Sequence, residues 1–245
     1  MANLRAWTDR CVFLVALLSA CATSSGVNDD ESFEALVEAR LNRELSPQTG
    51  LHYEVLNFGL PKATLAEMAT IIASGRVEEF EPDVILLVGH VHALPHMETE
   101  VALLALDGKP PPRSLRGAVP KEALEPGLTE TAVKRRLFEH GEEVLRAPLA
   151  LVVDAARRMG AQPVFATIPM PTEELEFPRG HDPVALAREA GFIAIDLRDV
   201  YAGQVSEELI QSDADHHPNA KGHRVIAERL WSELVTQPAI VGEKR

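Results

Sequence analysis

Residues 82–89 read "PDVILLVG": a proline, an aspartate, five apolar residues from Val84 to Val88, and a closing glycine. No polar residue alternates through the run, so neither face is made for water. That is the pattern of a strand buried on both sides, as strands of parallel sheets are. Before it, "TLAEMATIIASGRVEEF" (64–80) reads as a helix and "HYEVLNFGL" (52–60) as a short strand ending at Gly59. Earlier still, "ESFEALVEARLNREL" (31–45) repeats Phe33, Leu36, Val37, Leu41 and Leu45 at helical spacing, with Arg40 and Arg43 towards its end. After it the helical pattern resumes over 130–160, where Pro148 is expected to break or kink the helix and Gly160 to stop it. Strand "QPVFATIP" (162–169), helix "DPVALAREAG" (182–191), strand "FIAIDLRDV" (192–200) and helix "NAKGHRVIAERLWSEL" (219–234) complete the chain. Alternating strands and crossover-length helices predict a parallel sheet covered on both faces, a three-layer α/β/α sandwich. Between His90 and Gly127 the periodic signal fades. Its proline-rich part, "DGKPPPRSLRGAVPKEALEPG" (107–127), is expected to form a surface excursion or lid.

The chain has 245 residues, enough for one large domain or a domain plus a tail. A net charge of −13 argues against nucleic acid or an anionic membrane surface as the main partner, since either would repel it. The two cysteines, Cys11 and Cys21, cannot supply a disulfide framework or a Cys-based zinc site. No metal and no cofactor is expected. The N-terminal stretch "MANLRAWTDRCVFLVALLSAC" supports two readings. Basic Arg5 and Arg10, a short apolar run and Leu18-Ser19-Ala20-Cys21 resemble a lipoprotein signal with a lipobox. That reading gives a bacterial envelope location and membrane anchoring by lipidated Cys21. The run "CVFLVALL" is also a good buried strand, and retaining it leaves the chain cytoplasmic. The expected division is therefore 1–25 as signal or first strand, 26–236 as the folded domain and 237–245 as a tail.

In an open parallel sheet, sites lie at the carboxyl ends of the strands. Those ends carry "NFGL" (57–60), "GHVHAL" (89–94) and, after the last strand, "DADHHPN" (213–219). An acid two residues before a histidine, followed by Pro-Asn and a helix, suits a hydrolase with a serine nucleophile. Serine attacks well only when an imidazole takes its proton, and an acid fixes that imidazole's tautomer. The stretches "GVNDDESFEALVEARLN", "YEVLNFGLP", "EPDVILLVG" and above all "DADHHPNAKGHRVIAERL" resemble the SGNH, or GDSL-type, hydrolase superfamily over roughly residues 26–235.

This resemblance implies a flavodoxin-like sheet and hydrolysis of esters or removal of acetyl groups. It assigns the base to His217 and the orienting acid to Asp215, with His216 and Asp213 as alternatives in a shifted register. Gly59 takes the position of an oxyanion-hole backbone donor. Where the superfamily has an asparagine, Val91 or His92 stands, and of these only His92 could donate a hydrogen bond. The first block is degenerate: Leu18-Ser19-Ala20 falls where Gly-Asp-Ser belongs, so the nucleophile position holds Ala20. Ser19 is the nearest hydroxyl, with Ser24 and Ser25 farther along.

Simpler readings compete with these. A polar cluster such as 213–217 is commonly only a solvated loop, and Gly59 alone is as well explained by a turn. His90, His92 and His96 invite a metal, but on an extended segment His90 and His92 would face opposite sides. Arg157 and Arg158 read as a solvated helix face. The expected function is hydrolysis of a small acyl, acetyl or glycan ester. The alternative is an inactive domain of the same fold that binds an envelope glycan or other ligand, motivated by the joint loss of the serine and asparagine. A third is an envelope lipoprotein serving as a scaffold.

Overall fold

The computed structural model describes residues 12–18, 26–173, 176–177 and 180–241. Strands β1 (Val12–Leu18), β2 (His52–Asn57), β3 (Val84–Gly89), β4 (Gln162–Thr167) and β5 (Ile193–Asp196) form one parallel sheet ordered β2-β1-β3-β4-β5. That is the flavodoxin-like order. The run 84–89 is buried at every position, as its composition requires. Its side chains alternate between two cores. Val84, Leu86 and Val88 point into one, Ile85 and Leu87 into the other.

The helices are α1 (Phe33–Glu44), α2 (Ser46–Thr49), α3 (Leu65–Ala73), α4 (Ala93–Leu106), α5 (Glu130–Phe138), α6 (Gly141–Met159), α7 (Pro183–Ala190), α8 (Ala220–Leu234) and α9 (Pro238–Val241). Helices α1 and α8 share the core of Val84 and Leu86, while α3 to α7 fill the core on the other face. Val12–Leu18, the segment with two readings, lies inside the sheet: β1 pairs with β2 on one side and β3 on the other. Asp83 fastens its start, accepting the Leu14 N–H through Oδ2 at 2.9 Å and donating its own N–H to Leu14 O at 2.9 Å.

Two expectations are corrected, one for the faded region and one for the helix over 130–160. The faded region opens with α4, a helix of 14 residues; Pro95 lies in its first turn, where the missing N–H has no helical acceptor to lose. The proline-rich stretch after it runs over the surface, with most residues exposed, and is pinned at a few points. Leu115, Val119 and Ala123 are buried, and Ser114 Oγ donates to Ala66 O of α3 at 2.6 Å. The helix over 130–160 breaks at Glu139 and His140, not at Pro148, which is buried within α6. At that break a Cβ on Gly141 would lie 2.7 Å from His181 Nε2 and 2.9 Å from Leu94, so close approach of the chain is met by glycine. After α8 the described chain ends in α9, whose Ile240 is buried and whose Val241 carbonyl accepts the Tyr53 hydroxyl at 2.8 Å.

Candidate active site

The segment after β5, expected as a loop, contains a small antiparallel hairpin of β6 (Ile210–Ser212) and β7 (Asp215–Pro218). Asp215 and His217 share a face of β7. His217 Nδ1 lies 2.6 Å from Asp215 Oδ1, and the His217 backbone N–H donates to the same oxygen at 3.1 Å. These bonds from His217 hold the Asp215 carboxyl below its ordinary range. Both side chains are about half exposed, 46% and 45%. Among the described residues nothing bonds to His217 Nε2, the nitrogen a base would use. His216 is differently placed. Its Nδ1 meets Thr172 Oγ1 at 3.0 Å and its Nε2 meets the Asp213 carbonyl at 3.1 Å, so both nitrogens are engaged. Asp213 contributes that carbonyl.

The Pro-Asn-x-x-Gly-His pattern behind the pair has a structural cause. Asn219 caps α8, accepting from the Lys221 and Gly222 N–H groups at 2.9 and 3.1 Å. Its amide donates back to the carbonyls of Glu208 and Ile210. A Cβ on Gly222 would lie 2.7 Å from Pro218 Cβ and 2.8 Å from Leu209 O, so only glycine lets α8 start against the hairpin. His223 is buried, stacks on Phe33 and accepts the Phe33 N–H through Nδ1 at 3.1 Å. The motif thus ties hairpin, α8 and the start of α1 into one unit.

Ser19, Ala20, Cys21, Ser24 and Ser25 lie outside the described residues. The described residues that flank them are placed. Leu18 pairs with Leu87 at the sheet's carboxyl edge, and Gly26 (φ 87°) meets the Gln211 side chain of β6, whose Nε2 donates to Pro218 O at 2.9 Å.

At the end of β2, the Gly59 N–H donates to Asn57 Oδ1 at 2.7 Å, closing a local turn. The expectation that it faces an oxyanion is corrected to that extent: in this conformation the donor is already engaged. The Asn57 amide donates to Glu34 Oε1 of α1 at 2.7 Å.

Just past β3, Val91 is buried and His92 is the partly exposed N-cap residue of α4. The expectation that His90 and His92 diverge is also corrected. The chain turns into α4 directly after β3, and the rings of His90, His92 and His96 gather with centroids 5.4–6.3 Å apart. Glu173, from the segment after β4, faces them with Oε2 3.0 Å from His90 Nε2 and Oε1 3.7 Å from His92 Nε2. His90 Nδ1 accepts the His92 backbone N–H at 3.2 Å, so the neutral ring carries its proton on Nε2, which lies 3.0 Å from Glu173 Oε2 but outside hydrogen-bond geometry. That tautomer does not suit metal ligation through Nε2, and no three ligands among the described residues are placed to share an ion. Burial pushes the Glu173 carboxyl up, but His90, the Met170 N–H and His92 outweigh it and hold it low.

No family model matches the sequence, and no curated protein does. Solved structures match over nearly their whole length. A structure of TesA aligns at 16% identity with a TM-score of 0.55, covering 93% of this chain and 99% of that one. The psychrotrophic esterase EstA from Pseudoalteromonas sp. aligns at 14% identity and 0.53, covering 92% and 97%. Axe2, an acetylxylan esterase from Geobacillus stearothermophilus, aligns at 14% and 0.55, covering 91% and 95%. The chain shares its fold with these structures. At these identities the likeness speaks for the architecture, while chemistry is argued from the site. The sequence pointed to the pair on β7 but not to Glu173, Thr172 or Asn57. The one available signal for them was their place just past or at the end of a strand.

Proposed function

We propose that the chain is an ester hydrolase that acts on small acyl or acetyl esters, with His217 as base and Asp215 as its orienting acid. The observation that carries this reading is the 2.6 Å Asp215–His217 bond through Nδ1, with Nε2 unbonded among the described residues. The acid holds the imidazole in the tautomer whose Nε2 lone pair can accept a proton. In the mechanism, a serine hydroxyl from residues 19–25, Ser19 being the first candidate, attacks the ester carbonyl and passes its proton to His217 Nε2. Collapse of the tetrahedral intermediate returns that proton to the departing alcohol. Water, activated by the same nitrogen, then cleaves the acyl-enzyme to the carboxylic acid. His92, at the start of α4, is the side-chain donor proposed for the developing oxyanion. The esterase and acetylxylan esterase named among the structural neighbours support an ester, and among esters an acetyl group on a glycan.

The test is turnover of p-nitrophenyl acetate by the full chain, by His217→Ala and by His216→Ala. We expect His217→Ala to lose about 10²–10⁴-fold in kcat, the range of a general base, and His216→Ala to lose much less. Equal rates for the wild type and His217→Ala overturn the assignment.

A second reading, a ligand-binding domain without catalysis, is favoured by one specific observation: Val91 is apolar and buried where a donor is needed. Labelling of the chain by a fluorophosphonate probe decides for hydrolysis. Glycan binding without labelling decides for the second reading.

A further inference from the structure

The Glu173 cluster joins segments that the chain's covalent path does not join. Its side chain is 16% exposed. Oε2 accepts the Met170 N–H at 2.8 Å while the Glu173 N–H donates to Met170 O at 3.1 Å, so the turn after β4 closes on itself. The same carboxylate faces the His90 and His92 Nε2 atoms at the exit of β3, at 3.0 and 3.7 Å. One residue earlier, Thr172 Oγ1 meets His216 Nδ1 at 3.0 Å, and His216 is the neighbour of His217 on β7. The histidines at the end of β3 are thereby connected to the hairpin that carries the base.

We propose that Glu173 is a positioning residue: it fixes the His90–His92 wall against the turn after β4 and, through Thr172, against the β6–β7 hairpin. The proposal rests on the ester-hydrolase reading for its effect on catalysis, not for the geometry itself. Glu173 acts through other residues. The job calls for a carboxylate, because an acceptor-only group can take the Met170 N–H and stand against the His90 and His92 Nε2 atoms without presenting a donor to them. A displacement of the wall relative to the base of the order of 1 Å is enough to cost roughly 10²-fold in rate.

The experiment compares the full-length wild type with Glu173→Ala, Glu173→Gln and Thr172→Val. Two readouts are used: kcat and KM for p-nitrophenyl acetate, and the imidazole ¹⁵N–¹H spectrum of ¹⁵N-histidine protein, with signals assigned by His90→Gln and His92→Gln. In the wild type the His90 ring is expected as the Nε2–H tautomer. In Glu173→Ala that signature should give way to a tautomer mixture, and kcat should fall about 10²-fold while KM changes little. Glu173→Gln, which keeps the volume and carries the test if the alanine variant does not fold, should lie between. Unchanged His90 and His92 signals in both Glu173 variants overturn the proposal, whatever happens to the rate. Altered signals in the Glu173 variants, together with a wild type that turns over no ester, uphold Glu173 as the fastener and sink the hydrolase reading instead.

Discussion

Asp215 and His217 stand two apart on β7, and alternate residues of a strand share a face, so the 2.6 Å bond is built into local spacing. That is why the pair could be read from five letters of sequence, whereas Glu173 could not. Its partners His90 and His92 lie some eighty residues back, joined to it only when β3 and β4 pair. Asp215→Asn tests the local pair. An amide places either a neutral oxygen or an NH₂ against Nδ1, and loses the charge that steadies the imidazolium. We expect about 10²–10⁴-fold lower kcat with KM little changed, measured by steady-state kinetics. Two further side chains tie stability to pH in opposite senses. Burial, and to a lesser extent the charge of His217, pushes His223 from 6.5 down to about 4. The unfolded chain then takes up the proton first, and stability falls as pH drops from 6.5 to about 4, by at most roughly 3 kcal/mol. Burial pushes Glu100 from 4.5 up to about 7, with Glu67 adding to this and the Thr64 hydroxyl, 2.5 Å away, opposing it. There the unfolded chain releases its proton first, so stability falls as pH rises from 4.5 to about 7. The two slopes offset each other between pH 4.5 and 6.5. Glu100→Gln removes one of them, so its urea midpoint should rise relative to the wild type on going from pH 5 to pH 8. An unchanged pH dependence would show that Glu100 does not titrate in this window.

At the scale of elements, the C-terminal block shows how one motif does structural and chemical work together. Asn219 caps α8, Gly222 lets the helix approach Pro218 and Leu209, and His223 fastens the start of α1. Gly222→Ala inserts a methyl 2.8 Å from a backbone carbonyl, which cannot rotate away as a side chain tip would. The expected cost is about 1–3 kcal/mol, as for overpacking elsewhere, read as a lower urea midpoint. Ester turnover should fall as well, since the hairpin carrying His217 has to shift. If stability drops while kcat stays, the hairpin and helix are not coupled in the way the contacts imply. The elements that sequence reading missed have a common cause. Helix α4 is hidden because Pro95 and His96 stand in its first turn and His90 and His92 just before it, though Met97, Val101 and Ala102 keep its buried face. The stop at His140 is hidden because the reason for it, close approach of Gly141 to His181 and Leu94, is tertiary. Gly160, whose reason is local, was legible and sits at φ 73° after α6.

For the molecule as a whole the decisive fact is where β1 runs. Strands in the middle of a parallel sheet donate and accept on both edges, and β1 does so against His52–Asn57 on one side and Val84–Leu87 on the other. It also supplies side chains to both cores, Ala16 to one and Val15 and Leu17 to the other. A chain shortened to begin at Cys21 would lack this strand. The facing edges of β2 and β3 would then carry unpaired backbone groups in an apolar interior, at about 1–3 kcal/mol each. A handful of them exceeds the whole stability of a typical domain, about 5–15 kcal/mol. The lipobox-like Leu18-Ser19-Ala20-Cys21 and the five-stranded sheet therefore make opposite demands on the same residues, a conflict already visible in the sequence because "CVFLVALL" fits either role. We predict that a chain beginning at Cys21 does not fold, whereas the full chain unfolds cooperatively. Circular dichroism and urea unfolding of the two purified proteins decide it. A shortened chain with a native-like, cooperative transition would mean that the sheet closes without β1, and would restore acylation at Cys21 and an envelope location as the better reading of the N-terminus.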